Sequence, residues 1–260
     1  MSGPSIKSIP EMDFWLYLLV VLVGAAAGFI NTLAGSGSLL TLPVLIFLGL
    51  PANVANGTNR IGILMQSIAA VGGFRQKKVF EWGEGIWLTL PAAIGALIGS
   101  MVAVDIDEWL MNRIIGALLV FMFLLLLVKP ERWLNPTKPD SHTRLTPLRF
   151  LIFMAIGFYG GFIQAGVGYF LLAGLVLGAG VDLVKANAIK VLITFVFTVL
   201  ALGVFIYNRQ VDYQIGITMG AGNMLGAWIA THVAVKKGAE FIRWFLLVCV
   251  LAFALKLLLF

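Results

Sequence analysis

The sequence predicts an all-α integral membrane protein of two inverted-topology repeats, each holding a glycine-broken pair of short helices and three longer transmembrane helices. Composition, an internal repeat and the placement of loop charge predict it. Of the 260 residues, 60% are apolar and 12% charged, roughly half the charge of a soluble domain. Runs from Phe14 through Leu33, Ile114 to Val128, Leu192 to Tyr207 and Phe241 to Phe260 approach the about 20 residues that cross a hydrocarbon core as helix. Water-soluble folding would leave that surface without cover. The net charge of +6 gathers in short loops beside apolar segments, which is the pattern of cytoplasmic loops and not of a nucleic-acid face.

The repeat emerges when Gly35-Ser36-Gly37 is laid on Gly166-Val167-Gly168. In that register Gly49 meets Gly180, Ala55-Asn56 meets Ala186-Asn187, and Phe74 meets Phe205. Glu81-Trp82 meets Asp212-Tyr213, and Gly95-Ala96 meets Gly226-Ala227. Upstream, Gly28-Phe29-Ile30 matches Gly161-Phe162-Ile163 after a two-residue slip. Shared membrane composition scatters Leu and Val matches, but it does not align glycines, asparagines and acidic-aromatic pairs together. Each half reads as five segments: 14–33, 38–50, 55–74, 84–104 and 109–128, then 148–165, 169–181, 186–206, 213–234 and 239–259. Residues 1–128 form the first repeat and 148–260 the second. The stretch 129–147 between them is rich in Pro, Lys and Arg, as linkers are.

Loop charge sets the orientation. Arg75, Lys77 and Lys78 follow the third segment of the first half, where the second half carries only Arg209. The next loop is acidic in the first half (Asp105, Asp107, Glu108) and basic in the second (Lys236, Lys237). Basic loops stay cytoplasmic, so equivalent loops lie on opposite sides. Both termini then face outward and the linker lies inside. The first apolar run has acidic flanks, Glu11 and Asp13, and no evident cleavage site, so it reads as a retained helix and not a signal peptide. Cys249, the single cysteine, reads as a small buried hydrophobe.

The second segment of each half is too short to span. Leu39 to Leu50 makes about 18 Å of helix against about 30 Å of hydrocarbon. Gly35, Gly37 and Gly49 bracket it and Pro43 lies inside; Gly166, Gly168, Gly174, Gly178 and Gly180 repeat the pattern. Backbone that leaves a helix at membrane depth must line a cavity or be buried in protein. Interrupted segments at matching places of two halves point to a transporter's binding site, and amides at half-helix starts suit an anion. The alternative is that these glycines only allow close helix packing.

The neighbouring polar residues are candidate ligands. Asn31 precedes the first break, and Gln164 holds the matching place before the second. Ser36 lies within the first break. Asn56, Asn59 and Asn187 open the third segments. Uncharged amides hydrogen-bond an oxyanion without the full cost of a buried ion. Asn56 and Asn187 read equally as helix caps. Arg60 and Lys190 lie about a turn into apolar segments, where a charge costs roughly 2.5 kcal/mol or more at the bilayer centre. Either they snorkel or they draw an anion in, from opposite faces. They are not register mates, since Arg60 aligns with Val191. His232 reads as an interface residue, with proton coupling the alternative. Asp212-Tyr213 and Glu81-Trp82 read as interface anchors. No nucleophile triad, metal cluster, P-loop or dinucleotide motif occurs, so neither an enzyme nor a cofactor is expected.

At these residues the chain resembles the TauE/SafE family. The likeness lies in GFINTLAGSGSLLTLPVLIFLGLPANVANGTN and its second copy GFIQAGVGYFLLAGLVLGAGVDLVKANAIK, and extends over essentially the whole chain. It implies a multi-pass, bacterial-type inner-membrane transporter of small sulfur-containing or organic anions, such as sulfite or sulfonates. Ser36 and Ser38, and Val167 and Tyr169, depart from the family's fuller glycine run, which leaves the substrate open. The expectation is a secondary carrier working by alternating access, with the proton a candidate coupling ion. An anion channel or a non-transporting scaffold is the alternative.

Overall fold

A computed structural model describes residues 13–76, 86–127, 146–181 and 183–233. Every regular element among them is helical: α1 (Phe14–Ala34), α2 (Ser38–Phe47), α3 (Ala52–Gln76), α4 (Thr89–Asp105) and α5 (Glu108–Leu127) in the first half. The second half supplies α6 (Pro147–Phe162), α7 (Val167–Ala173), α8 (Leu183–Tyr207) and α9 (Tyr213–Val233). A 3₁₀ turn, Ile86–Leu88, leads into α4, and a π turn, Gly174–Gly178, prolongs α7. The expected last segment at 239–259, nearly all of the linker, Cys249, Glu81-Trp82 and the basic loops at Lys77 and Lys236 lie outside the described residues.

The core is apolar, yet large apolar side chains also cover the outside and several polar ones are buried. Phe14, Trp15, Leu22, Trp87, Leu90 and Trp109 are exposed, whereas Asn56, Asn59, Arg60, Gln66, Ser67 and Lys190 are buried. Large apolar groups outside and polar groups inside suit a lipid solvent, where helices gain nothing by hiding leucine from their surroundings. Three spans, Phe14–Leu33, Ile86–Asp105 and Lys185–Tyr207, are long and apolar enough to cross a bilayer.

Small residues set how the helices cross. Gly24 and Gly28 on α1 face Gly222 and Gly226 on α9; a Cβ at Gly28 would lie 2.1 Å from the Asn223 oxygen, and one at Gly226 1.9 Å from that of Ala25. Gly157 and Gly161 on α6 face Gly95 and Gly99 on α4, where the same construction gives 2.0 Å from Gly161 to the Ala96 oxygen and from Gly99 to that of Phe158. Backbones therefore touch at both crossings, through paired small-xxx-small motifs. The first helix of each half thus crosses the fourth helix of the other half.

The breaks are built from the glycines that the register pairs. Among the described residues the glycines with positive φ are Gly35 (+80°), Gly49 (+92°), Gly166 (+72°) and Gly180 (+70°). Each allows a left-handed turn that a Cβ disfavours, at the end of α1, at the start of α7 and after each short segment. Asp212 accepts the Ile215 amide through Oδ1 at 2.9 Å, so it caps α9, beyond the anchor role expected of it. His232 is exposed, its Nδ1 2.8 Å from the Trp228 oxygen.

Candidate functional site

Helix α1 ends with the carbonyls of Asn31, which also accepts the Gly35 amide at 2.8 Å, and Thr32, and α6 ends with the carbonyls of Gly160, Gly161 and Phe162. These ends carry partial negative charge and, being buried, need donors. Each receives a cation from the other half. Arg60 on α3 donates through Nη1 to Gly160 O and Gln164 Oε1, both at 3.2 Å. Its Nη2 donates to Gly161 O at 2.5 Å, and to Phe162 O and Asn56 Oδ1, both at 3.4 Å. Lys190 on α8 donates through Nζ to Asn31 O and Thr32 O, both at 3.2 Å. Although register mismatches Arg60 and Lys190, they do equivalent work.

Snorkelling is therefore excluded for both. Arg60 is fully buried and Lys190 is 2% exposed, because the helix-end carbonyls supply the solvation that a snorkelling head group seeks in water. Neither pairs with a carboxylate among the described residues, whose acids (Asp13, Asp105, Asp107, Glu108 and Asp212) all stand at or beside helix ends. Gln164 joins Arg60 to the cavity that Lys190 lines.

The two breaks meet. The Gly168 amide donates to Gly35 O at 3.1 Å, and a Cβ at Gly35 would fall 2.3 Å from the Gly168 Cα. Ser36 Oγ donates to Tyr169 OH at 3.4 Å across the same junction. Tyr159 OH donates to Ala165 O and braces the second break. Gln164 adopts a left-handed backbone (φ 69°), uncommon for a residue with a Cβ, and its Nε2 donates to Thr198 Oγ1 at 2.7 Å.

Beside this junction lies a cavity. Of the expected residues, Asn31, Gly35, Gln164, Gly168 and Lys190 line it. Gln66, Ser67 and Thr194 also line it, with Val167 and Val191 as an apolar wall. The first three escaped the sequence reading because they are uncharged and mid-helix, although Ser67 shares its register position with the hydroxyl of Thr198. The centre of a water-sized sphere has about 10 Å³ to move in, about what one water needs.

The remaining expected residues have other partners. Asn56 is not a cap; it sits a turn inside α3 and donates to Phe162 O at 2.7 Å. Asn59 accepts from Thr41 at 2.6 Å and donates to Ser38 at 3.2 Å, tying α2 to α3. Asn187 also lies within a helix and not at its cap; it is partly buried, with no partner for Oδ1. Gly166 packs against Met122. The amides of Gly37 and Gly168, expected to be bare, are taken by Asn31 Oδ1 (3.3 Å) and Gly35 O.

Chemically, the cavity offers positive charge and hydrogen-bond donors. An ammonium has three N–H groups, and Lys190 directs two at carbonyls. Ser67 Oγ is buried without a partner. Asn31 Nδ2 donates to Gln66 Oε1 at 3.1 Å.

Comparison with known proteins agrees with a membrane transporter. The model of the family described as sulfite exporter TauE/SafE matches residues 20–257. A Sinorhizobium protein described as probable membrane transporter protein ORF9 is 33% identical over 250 residues, covering 95% of this chain and 94% of its own. A probable membrane transporter protein of Haemophilus influenzae is 28% identical over 89% of this chain and 91% of its own. The Escherichia coli K12 probable membrane transporter protein YfcA is 28% identical over 91% and 87%. No solved structure matches.

Proposed function

The chain belongs to the sulfite exporter TauE/SafE family and is a membrane transporter, not an enzyme, and from that premise we propose a secondary carrier that exports a small organic or sulfur-containing anion by alternating access. Sulfite and the sulfonates are the substrates best matched. The observation that carries this reading is Lys190: a buried cation without a carboxylate partner among the described residues, at a cavity where two broken helices meet. A guest anion supplies the counter-charge, and helix-end carbonyls hold the lysine in place meanwhile.

The two halves act as inverted repeats in this proposal. Support comes from the reciprocal crossings of α1 on α9 and α6 on α4, from the reciprocal cations, and from the paired left-handed glycines. In this reading both termini lie outside a bacterial-type inner membrane and 129–147 inside, which the pattern of loop charge supports. The cavity is too small for sulfite while Gly35 and Gly168 touch, so the cargo enters only after that contact parts on one side. This closed junction favours a carrier over an open pore. A cell interior that is negative drives an anion outward by about 2.3 kcal/mol per charge per 100 mV, so export needs no further energy source; proton symport is the other available coupling.

Flux of labelled sulfite and sulfoacetate into proteoliposomes tests the proposal. Saturable, counterflow-capable flux in wild type that Lys190→Met abolishes is expected. Equal flux in both, or single-channel currents, would overturn it.

A further inference from the structure

The hydroxyls of Ser67 on α3 and Thr198 on α8 occupy the same register position, yet their surroundings differ. Thr198 Oγ1 accepts a 2.7 Å hydrogen bond from Gln164, whose Oε1 is held by Arg60. That chain of donors and acceptors is internal to the protein. Ser67 Oγ is wholly buried, has no partner, and lines the cavity that holds Lys190. A buried hydroxyl left unpaired costs about 1–3 kcal/mol, and here it belongs to a residue that lines the cavity.

We infer that Ser67 is a specificity-determining residue: its hydroxyl donates to one oxygen of a small oxyanion whose charge is met by the remaining N–H of Lys190. The inference rests on the carrier reading above and deepens it. Two donor-bearing residues on one small cavity favour an anion with at least two acceptor oxygens on a compact head, as in a sulfite or a sulfonate. Gln66 and Thr194 complete the polar wall, and the apolar wall of Val167 and Val191 gives a short carbon tail somewhere to lie.

The test compares Ser67→Ala, Ser67→Thr and Thr198→Val in proteoliposomes with sulfite and ethanesulfonate as probes, together with melting temperature in detergent. Ser67→Ala is expected to raise KM about tenfold, the loss of one hydrogen bond to a charged group, with maximal rate little changed. Its melting temperature should hold or rise, because an unpaired buried hydroxyl has been removed. Ser67→Thr should recover most of the affinity. Thr198→Val should lower the melting temperature, with a smaller change in KM. An unchanged KM in Ser67→Ala, or a melting temperature lowered as far as in Thr198→Val, would overturn the role of Ser67 while leaving the carrier intact. Wild type that moves neither probe would instead overturn the carrier reading, and the role of Ser67 with it.

Discussion

Arg60 and Lys190 perform one task at two helix ends with different results. Arg60 distributes its forked nitrogens over three carbonyls and two side-chain amides, and its guanidinium lies 4.6 Å from the centre of the Phe205 ring. Lys190 reaches two carbonyls and borders free space. A guanidinium has five donors in a planar fork, and an ammonium has three on a flexible stem. The end of α6 is thereby held by the wider network, with Arg60 Nε alone of its nitrogens left without a partner, while the lysine at the end of α1 lines the cavity. In the proposed carrier the two cations divide the labour: Arg60 serves the fold and Lys190 the guest.

Substitutions can break that contrast. The largest effect on stability is expected from Arg60→Ala, which strands the Gly160 and Gly161 carbonyls, Gln164 Oε1 and Asn56 Oδ1 in the interior; unfolding in mild detergent should show a loss of about 3 kcal/mol or more. Arg60→Lys should recover only part of this, because a lysine cannot reproduce the fork. Lys190→Met should cost less stability, about 1–2 kcal/mol, and yet abolish flux. If Lys190→Met unfolded the protein as severely as Arg60→Ala, the division of labour would be wrong.

The glycine crossings sharpen the comparison from the other direction. Gly28→Ala and Gly161→Ala each push a methyl against a backbone oxygen 2.0–2.1 Å away, so each should cost about 1–3 kcal/mol. Equal losses in thermal unfolding would mean that both crossings are equally tight and that the asymmetry is confined to the cations. The smallest effect is expected from Asn187→Ala, since Asn187 is only partly buried and its Oδ1 bonds nothing; stability should change by about 0.5 kcal/mol or less.

Much of this was legible in the sequence, for physical reasons that differ by residue. Gly35, Gly49, Gly166 and Gly180 stood out because a left-handed turn in lipid leaves few other residue types. Arg60 and Lys190 stood out because a charge in an apolar run is costly. Their equivalence was hidden, because Arg60 aligns with Val191 and not with Lys190. Asn56 and Asn59 looked like ligands because an amide carries no sign of which carbonyl or hydroxyl it will meet. Gln66 and Ser67 were missed because one polar residue amid an apolar helix has no spacing signature. The small-xxx-small pairs at Gly24 and Gly28, and at Gly95 and Gly99, were readable and would have pointed to both crossings.

The central claim is that the cavity beside Lys190 opens to each side of the membrane in turn. Thr194→Cys in a Cys249→Ala background, labelled with a membrane-impermeant thiol reagent applied to one face and then the other, tests it most directly. Labelling from both faces, slowed by sulfite on each, is predicted. Labelling from one face only, or labelling that sulfite does not slow, would contradict it.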